Sequence, residues 1–196
     1  MRKETAKLSK EELNAKATKA ASSEAKKLEK EGWTIAPGAL PIVKQLDKSY
    51  LMQYEYDNSG YPKYIMGEAM STGENYDAAK MQALELSKQN LAGQISTEVT
   101  ALVENSVANK QLSAGEAASV TASVVASKNL ISQSLGRVIP VVEVYRTAQD
   151  TRNKEVLVRV AYSHTQALEA AKNAIRKHLE EKGDKMHEQL DQVLGF

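Results

Sequence analysis

The chain of 196 residues contains no cysteine. That excludes disulfides, thiol nucleophiles, zinc–thiolate sites and iron–sulfur clusters. It leaves the compartment open, because reducing cytosol and unbridged periplasm both accept such a chain. Aromatic residues are scarce: one Trp, one Phe and eight Tyr. A core must therefore be built from Val, Ile, Leu, Ala and Met. No apolar run approaches the ~18 residues that a membrane-spanning helix needs. Neither charge sign dominates. The net charge is +1, with eleven Lys/Arg against seven Asp/Glu over 1–48, seven against eleven over 49–150, and eight against seven beyond. A near-neutral body lacks the clustered cations of a nucleic-acid binder. Hydrophobic residues at 42% and charged residues at 26% exclude disorder over the whole chain. The length fits one domain, with or without a helical extension.

Periodicity supplies the elements. Residues 1–32 read as a helical spacer, with Ser9 and Glu12 in capping-box spacing and Gly32 as C-cap. Its apolar stripe is mostly alanine, so it needs a partner or a dock to stay ordered. Trp33 to Ala36 reads as extended, Pro37-Gly38 as a turn, and Ile42, Val43, Leu46, Tyr50 and Leu51 as a helix broken by Asp57-Asn58-Ser59-Gly60. A first strand is expected over 64–70, then a long helix over 76–104 behind an Asn75 N-cap. Ser113 and Glu116 open a further helix that carries Val120, Val124, Ile131 and Leu135 and ends at Gly136. Strands at 139–147 and 155–162 form a hairpin, and Ser163 with Gln166 opens a helix running to Gly183. A short helix follows over 183–196. The expected fold is α+β: a small, mostly antiparallel three-stranded sheet (64–70, 139–147, 155–162) packed by long helices on one face, the domain spanning 33–182.

Little in this pattern carries chemistry. His164, His178 and His187 share no i,i+4 pair, so they read as surface histidines and no metal site is expected. Glu11-Glu12, Glu180-Glu181, and Glu85 with Glu98 lie in charge-rich helices and read as surface support, not as an acid/base dyad. No nucleophile elbow and no phosphate-cradling glycine loop is present. Catalytic and cofactor-binding residues are therefore expected to be none. The remaining feature is tyrosine. Tyr50, Tyr54, Tyr56, Tyr61 and Tyr64 fall within fifteen residues, around a Gly-Tyr-Pro turn. A ring with an apolar body and a polar tip suits a partner or ligand surface. The same rings would equally serve to cover one end of a sheet in a chain so poor in Phe.

Two stretches carry a resemblance. One runs from Glu31 to Tyr50. The other comprises Tyr64-Ile-Met-Gly-Glu-Ala-Met70, Asn75-Tyr-Asp-Ala-Ala-Lys-Met-Gln-Ala-Leu-Glu-Leu86 and Asn90-Leu-Ala-Gly-Gln-Ile95. The strand start with Gly67-Glu68-Ala69, the alanine-rich helix after it and the Leu91-Ala-Gly-Gln-Ile95 run resemble the bacterial twenty-kilodalton-lipoprotein family, over about 64–180, and the module is similar to the N-terminal domain of flagellar assembly protein T. From residue 31 onward the chain also looks like envelope proteins of Bacteroidetes-type bacteria. The resemblance implies a non-enzymatic binding or assembly module of the cell envelope, periplasmic or tethered to the outer membrane, with a protein partner. Membrane association would run only through a removed N-terminal lipid, since Met1-Arg2-Lys3 opens neither an apolar leader nor a lipid-bearing cysteine. Two other readings stand beside it: a small-molecule or glycan binder using the tyrosine patch, and a cytosolic helical adaptor that self-associates.

Overall fold

A computed structural model describes residues 16–109, 112–149 and 151–181. The Ser9–Glu12 box, the helix expected over 183–196 and His187 lie outside the described residues. The elements are α1 (Lys19–Lys30), α2 (Ile42–Gln53), β1 (Tyr64–Gly73), α3 (Tyr76–Ala108), α4 (Ala114–Ala126), α5 (Lys128–Ser134), β2 (Ile139–Thr147), β3 (Lys154–Ser163) and α6 (His164–Glu181). The strands form one open antiparallel sheet in the order β1-β3-β2. The fold is α+β, with the long helices on one face as the sequence pattern implies.

Alternation along β3 generates the layers. Val156, Val158, Val160 and Tyr162 point to the face covered by α3 and α6, where they meet Leu91, Ile95, Val99, Ala171 and Ile175. α3 is 33 residues long and starts where Asn75 accepts a hydrogen bond from the Ala78 N–H. Close packing there depends on Gly67 of β1. A Cβ at this position would stand 2.5 Å from the Ser87 carbonyl oxygen and 2.7 Å from Leu91 Cγ.

The opposite face of the sheet is also covered, which the hydrophobic pattern alone does not assign. α1 and α2 pack there, with Ala21, Ala25, Trp33, Ile42, Leu46 and Met52 around Val142, Val144 and Ala161. A helix continuous over 1–32 does not form. Thr18 is extended and its side chain caps Ala21, while its own N–H donates to Asp47 Oδ1 at 2.9 Å. The alanine stripe thus finds its dock on α2, and residues 19–30 belong to the folded body instead of standing off it as a spacer.

Two further expectations need correction. The helix expected from Ser113 to Gly136 is two helices. Ser113 and Glu116 do form the capping box, but the chain turns at Ser127. That point follows a run of Ser, Thr and Val, residues with stiff or competing side chains and weak helix propensity. β1 also runs on to Gly73, past the end expected for it at residue 70, because Ser71, Thr72 and Gly73 still find partners in Val156, Glu155 and Lys154 of β3.

Candidate functional site

The tyrosine cluster divides in two. Tyr54, Tyr56 and Tyr61 are 65%, 52% and 62% exposed. They sit on the segment between α2 and β1, which its own hydrogen bonds hold in one shape. Asp57 Oδ1 accepts from the N–H groups of Ser59 at 2.8 Å and Tyr61 at 2.9 Å. The Asp57 N–H donates back to the Tyr61 carbonyl, and the Lys63 N–H donates to the Glu55 carbonyl. Gly60, at φ 81°, closes the turn in a conformation that a side chain would strain. Lys63 and Glu55 pair across the base at 2.8 Å. Two rings thus project from a pinned loop and one from the end of α2. Leu51, one helical turn before Tyr54, is also exposed.

Tyr50 and Tyr64 behave differently. Both are half-buried against the core of α1 and α2. The Tyr50 hydroxyl donates to Glu24 Oε2. That bond raises its pKa above the ordinary value of 10.0, with burial and the Glu24 charge adding to the effect. Glu24 also faces Arg159, which projects from the middle of β3. Arg159 donates to Glu68 Oε2 at 2.7 Å and to Ser49 Oγ at 3.1 Å, and its other nitrogen lies 3.6 Å from Glu24. Residues from four elements thereby close a polar cluster on the α1–α2 face. The sequence gives no hint of it, since its members are up to 135 positions apart and share no period.

Beside this cluster runs a groove of about 990 Å³. Its sides are Tyr50 and Gln53 of α2 and Asn90, Gln94 and Glu98 of α3, and its floor is Met66 to Glu68 of β1. None of Tyr54, Tyr56 and Tyr61 lines it.

The remaining sequence-level candidates lie elsewhere. His164 is not a surface residue: its side chain is 11% exposed and its Nε2 lies 2.5 Å from Glu98 Oε1, tying the start of α6 to α3. His178 has its Nε2 buried, with no hydrogen-bond partner among the described residues. Glu98 accordingly serves an inter-helix contact and not surface support within α3. On the far face of the sheet, Glu143 of β2 accepts from the Tyr76 hydroxyl and from Lys80 Nζ, the latter at 2.9 Å. Burial first, and the Glu143 bond second, raise the Tyr76 pKa strongly. Among the described residues no group of three or more His, Asp or Glu is arranged to hold a metal, and no helix is long and apolar enough to cross a membrane.

Comparison of the chain with protein families, curated proteins and solved structures gives no match.

Proposed function

We propose that this protein is a non-enzymatic binding and assembly module of the bacterial cell envelope, periplasmic or tethered by an N-terminal lipid, and that it meets a protein partner through Tyr54, Tyr56 and Tyr61. The envelope assignment rests on the resemblance of the segment at 64–95 to the twenty-kilodalton-lipoprotein family, and of the chain from residue 31 onward to envelope proteins of Bacteroidetes-type bacteria. The observation that carries the surface assignment is the exposure of three large rings on a segment whose backbone is already fixed. Preorganised aromatic side chains lose little freedom on binding, which is why Tyr is over-represented at interface hot spots. The rival glycan reading calls for a concave tyrosine-lined site, and the three rings stand outside the groove. The rival adaptor reading calls for long helices with free apolar faces. Leu91, Ile95, Val99 and Val103 of α3 are instead spent on the protein's own core.

The test replaces Tyr54, Tyr56 and Tyr61 together by Ser. The cross-linked species formed in the envelope fraction of the native cells are then compared with those of the parent protein. Loss of a species that the parent forms supports the surface. An unchanged pattern, with the variant folded by circular dichroism, sinks it. Intact mass of the native protein separates a lipid-tethered form from a free periplasmic one, and recovery in the cytosol would remove the envelope reading.

A further inference from the structure

β1 is an edge strand. In an antiparallel ladder, alternate residues turn both backbone groups toward the partner strand and the others turn both away. Two hydrogen bonds establish which residues of β1 face outward: Asn90 Nδ2 donates to the Glu68 carbonyl at 2.7 Å, and Gln94 Nε2 donates to the Met66 carbonyl at 2.8 Å. The N–H groups of Met66 and Glu68 share that direction, and both residues line the groove between α2 and α3. Asn90 and Gln94 are exposed and one helical turn apart on α3. Gly93, between them, contributes no side chain to that wall.

We propose that this groove takes an extended peptide segment of a partner protein, which adds to the sheet as a fourth strand beside β1. The pattern of backbone groups selects the occupant. Outward N–H donors recur every second residue, and an extended chain presents carbonyl acceptors at the same repeat. A single strand needs only about 4.8 Å of lateral room beside β1. A second folded copy would have to bring a sheet edge, with its own flanking helices, between Tyr50 and Gln53 on one side and Gln94 and Glu98 on the other. The Asn90 and Gln94 amides hold the places of an incoming strand's N–H groups while the groove is empty. They are solvent-exposed, so leaving the strand returns them to water. Glu68, Arg159, Glu98 and Lys128 along the groove supply charges of both signs for alternate side chains. This site is separate from the exposed tyrosine surface and does not rest on it.

The experiment pans a display library of linear peptides of about ten residues on the full protein and measures enriched peptides against two variants. Glu68→Pro removes the outward N–H at a position where an edge strand tolerates proline, while Glu68→Ala loses the contact to Arg159 but keeps the N–H. The expected result is binding weakened on the order of tenfold or more by Glu68→Pro relative to Glu68→Ala. The Met66 and Glu68 amides of the parent protein should also become protected from hydrogen exchange when the peptide is added. That second readout stands even if the proline variant does not fold. Four outcomes overturn the proposal: no enriched peptide, equal loss in both variants, protection confined to other segments, or weakened binding on the Tyr54, Tyr56 and Tyr61 to Ser variant alone. Protection of the same amides by raising the protein concentration without peptide would assign the edge to a second copy and overturn it as well.

Discussion

The two faces of the sheet are built from different materials. Toward α3 and α6, β3 presents Val156, Val158 and Val160, which meet Leu, Ile and Val side chains with no exposure. Toward α1 and α2, the same strand presents Leu157, Arg159 and Ala161, and the covering helices offer alanines, Leu46 and the Tyr50–Glu24 pair, with Trp33 from the segment between them. Each face carries a tyrosine hydroxyl donating to a glutamate that also faces a cation. On the first face, Tyr76, Glu143 and Lys80 lie beside the aliphatic core. On the second, Arg159 puts the cation at the centre of the sheet. The first face obtains its stability from apolar area. The second obtains part of its order from a polar set that holds only while all members are present. The face that depends on polar contacts forms one side of the groove, through Tyr50 and Gln53, and leads into the tyrosine loop. Stability is not uniform across a fold, and binding elements are drawn from its weaker end.

The largest expected effect is on apolar packing. Leu91 and Leu46 are both fully buried, one on each face. Leu91→Ala is expected to cost about 3–5 kcal/mol in urea unfolding, because the cavity lies between a 33-residue helix and the sheet and cannot collapse. Leu46→Ala is expected to cost about 2–3 kcal/mol and to act locally. Amide exchange should rise in α1 and α2 while the amides of α3 stay protected. Uniform loss of protection in both variants would mean that the two faces unfold as one unit, and the contrast between them would fail.

A smaller effect concerns the two tyrosines. Both have pKa values raised above the ordinary 10.0. A raised value in the folded state means that the unfolded chain releases the proton first. The stability from both hydroxyls is therefore complete below about pH 10 and is lost as pH climbs through the raised values. The causes differ in rank, which separates the faces. For Tyr50 the Glu24 bond comes first, so Glu24→Gln should bring its tyrosinate absorbance most of the way back toward ordinary titration. For Tyr76 burial comes first, so Glu143→Gln should leave it well above that point. Equal shifts in the two variants, read by ultraviolet absorbance against pH, would contradict the assignment.

Legibility in the sequence follows the range of the interaction. The Asn75 cap, the Ser113–Glu116 box and the strand at 139–147 are local, and each is found where the pattern puts it. Cover for the second face is not legible, because α1 meets it through alanines, whose small side chains give a stripe that reads as solvent-washed. The split in the tyrosine cluster is not legible either. Tyr50 and Tyr54 lie one turn apart on the same helical side, so their spacing does not separate them; Tyr50 turns inward through its contacts with the α1–α2 core and its bond to Glu24, 26 positions earlier. The contacts of Arg159 and the His164–Glu98 pair span 66 or more positions, and no spacing rule reaches that far.

The two outer strands sharpen the comparison at the smallest energy. β2's free edge is closed mainly by backbone. Thr34 and Tyr145 exchange N–H···O bonds at 2.8 and 2.9 Å, and the Glu143 N–H donates to Gln45 Oε1 at 2.7 Å. β1's free edge is closed at Met66 and Glu68 by the Gln94 and Asn90 side chains. Exposed carboxamides hold an edge weakly, each bond being worth about 1 kcal/mol net, whereas a bridge from the chain itself is fixed by the fold around it. Removing Asn90 and Gln94 together, as the double Ala variant, should therefore lower stability by no more than about 2 kcal/mol while leaving the Met66 and Glu68 carbonyls without donors. An uncapped edge is a template for pairing with other chains. The variant should show concentration-dependent association by analytical ultracentrifugation at concentrations where the parent shows less. Gln45→Ala, on the other edge, should show no such change, because the Thr34 bridge still covers β2. Matching behaviour of the two variants would mean that the edges are equally guarded and that the weakness of β1 is not what opens it to a partner.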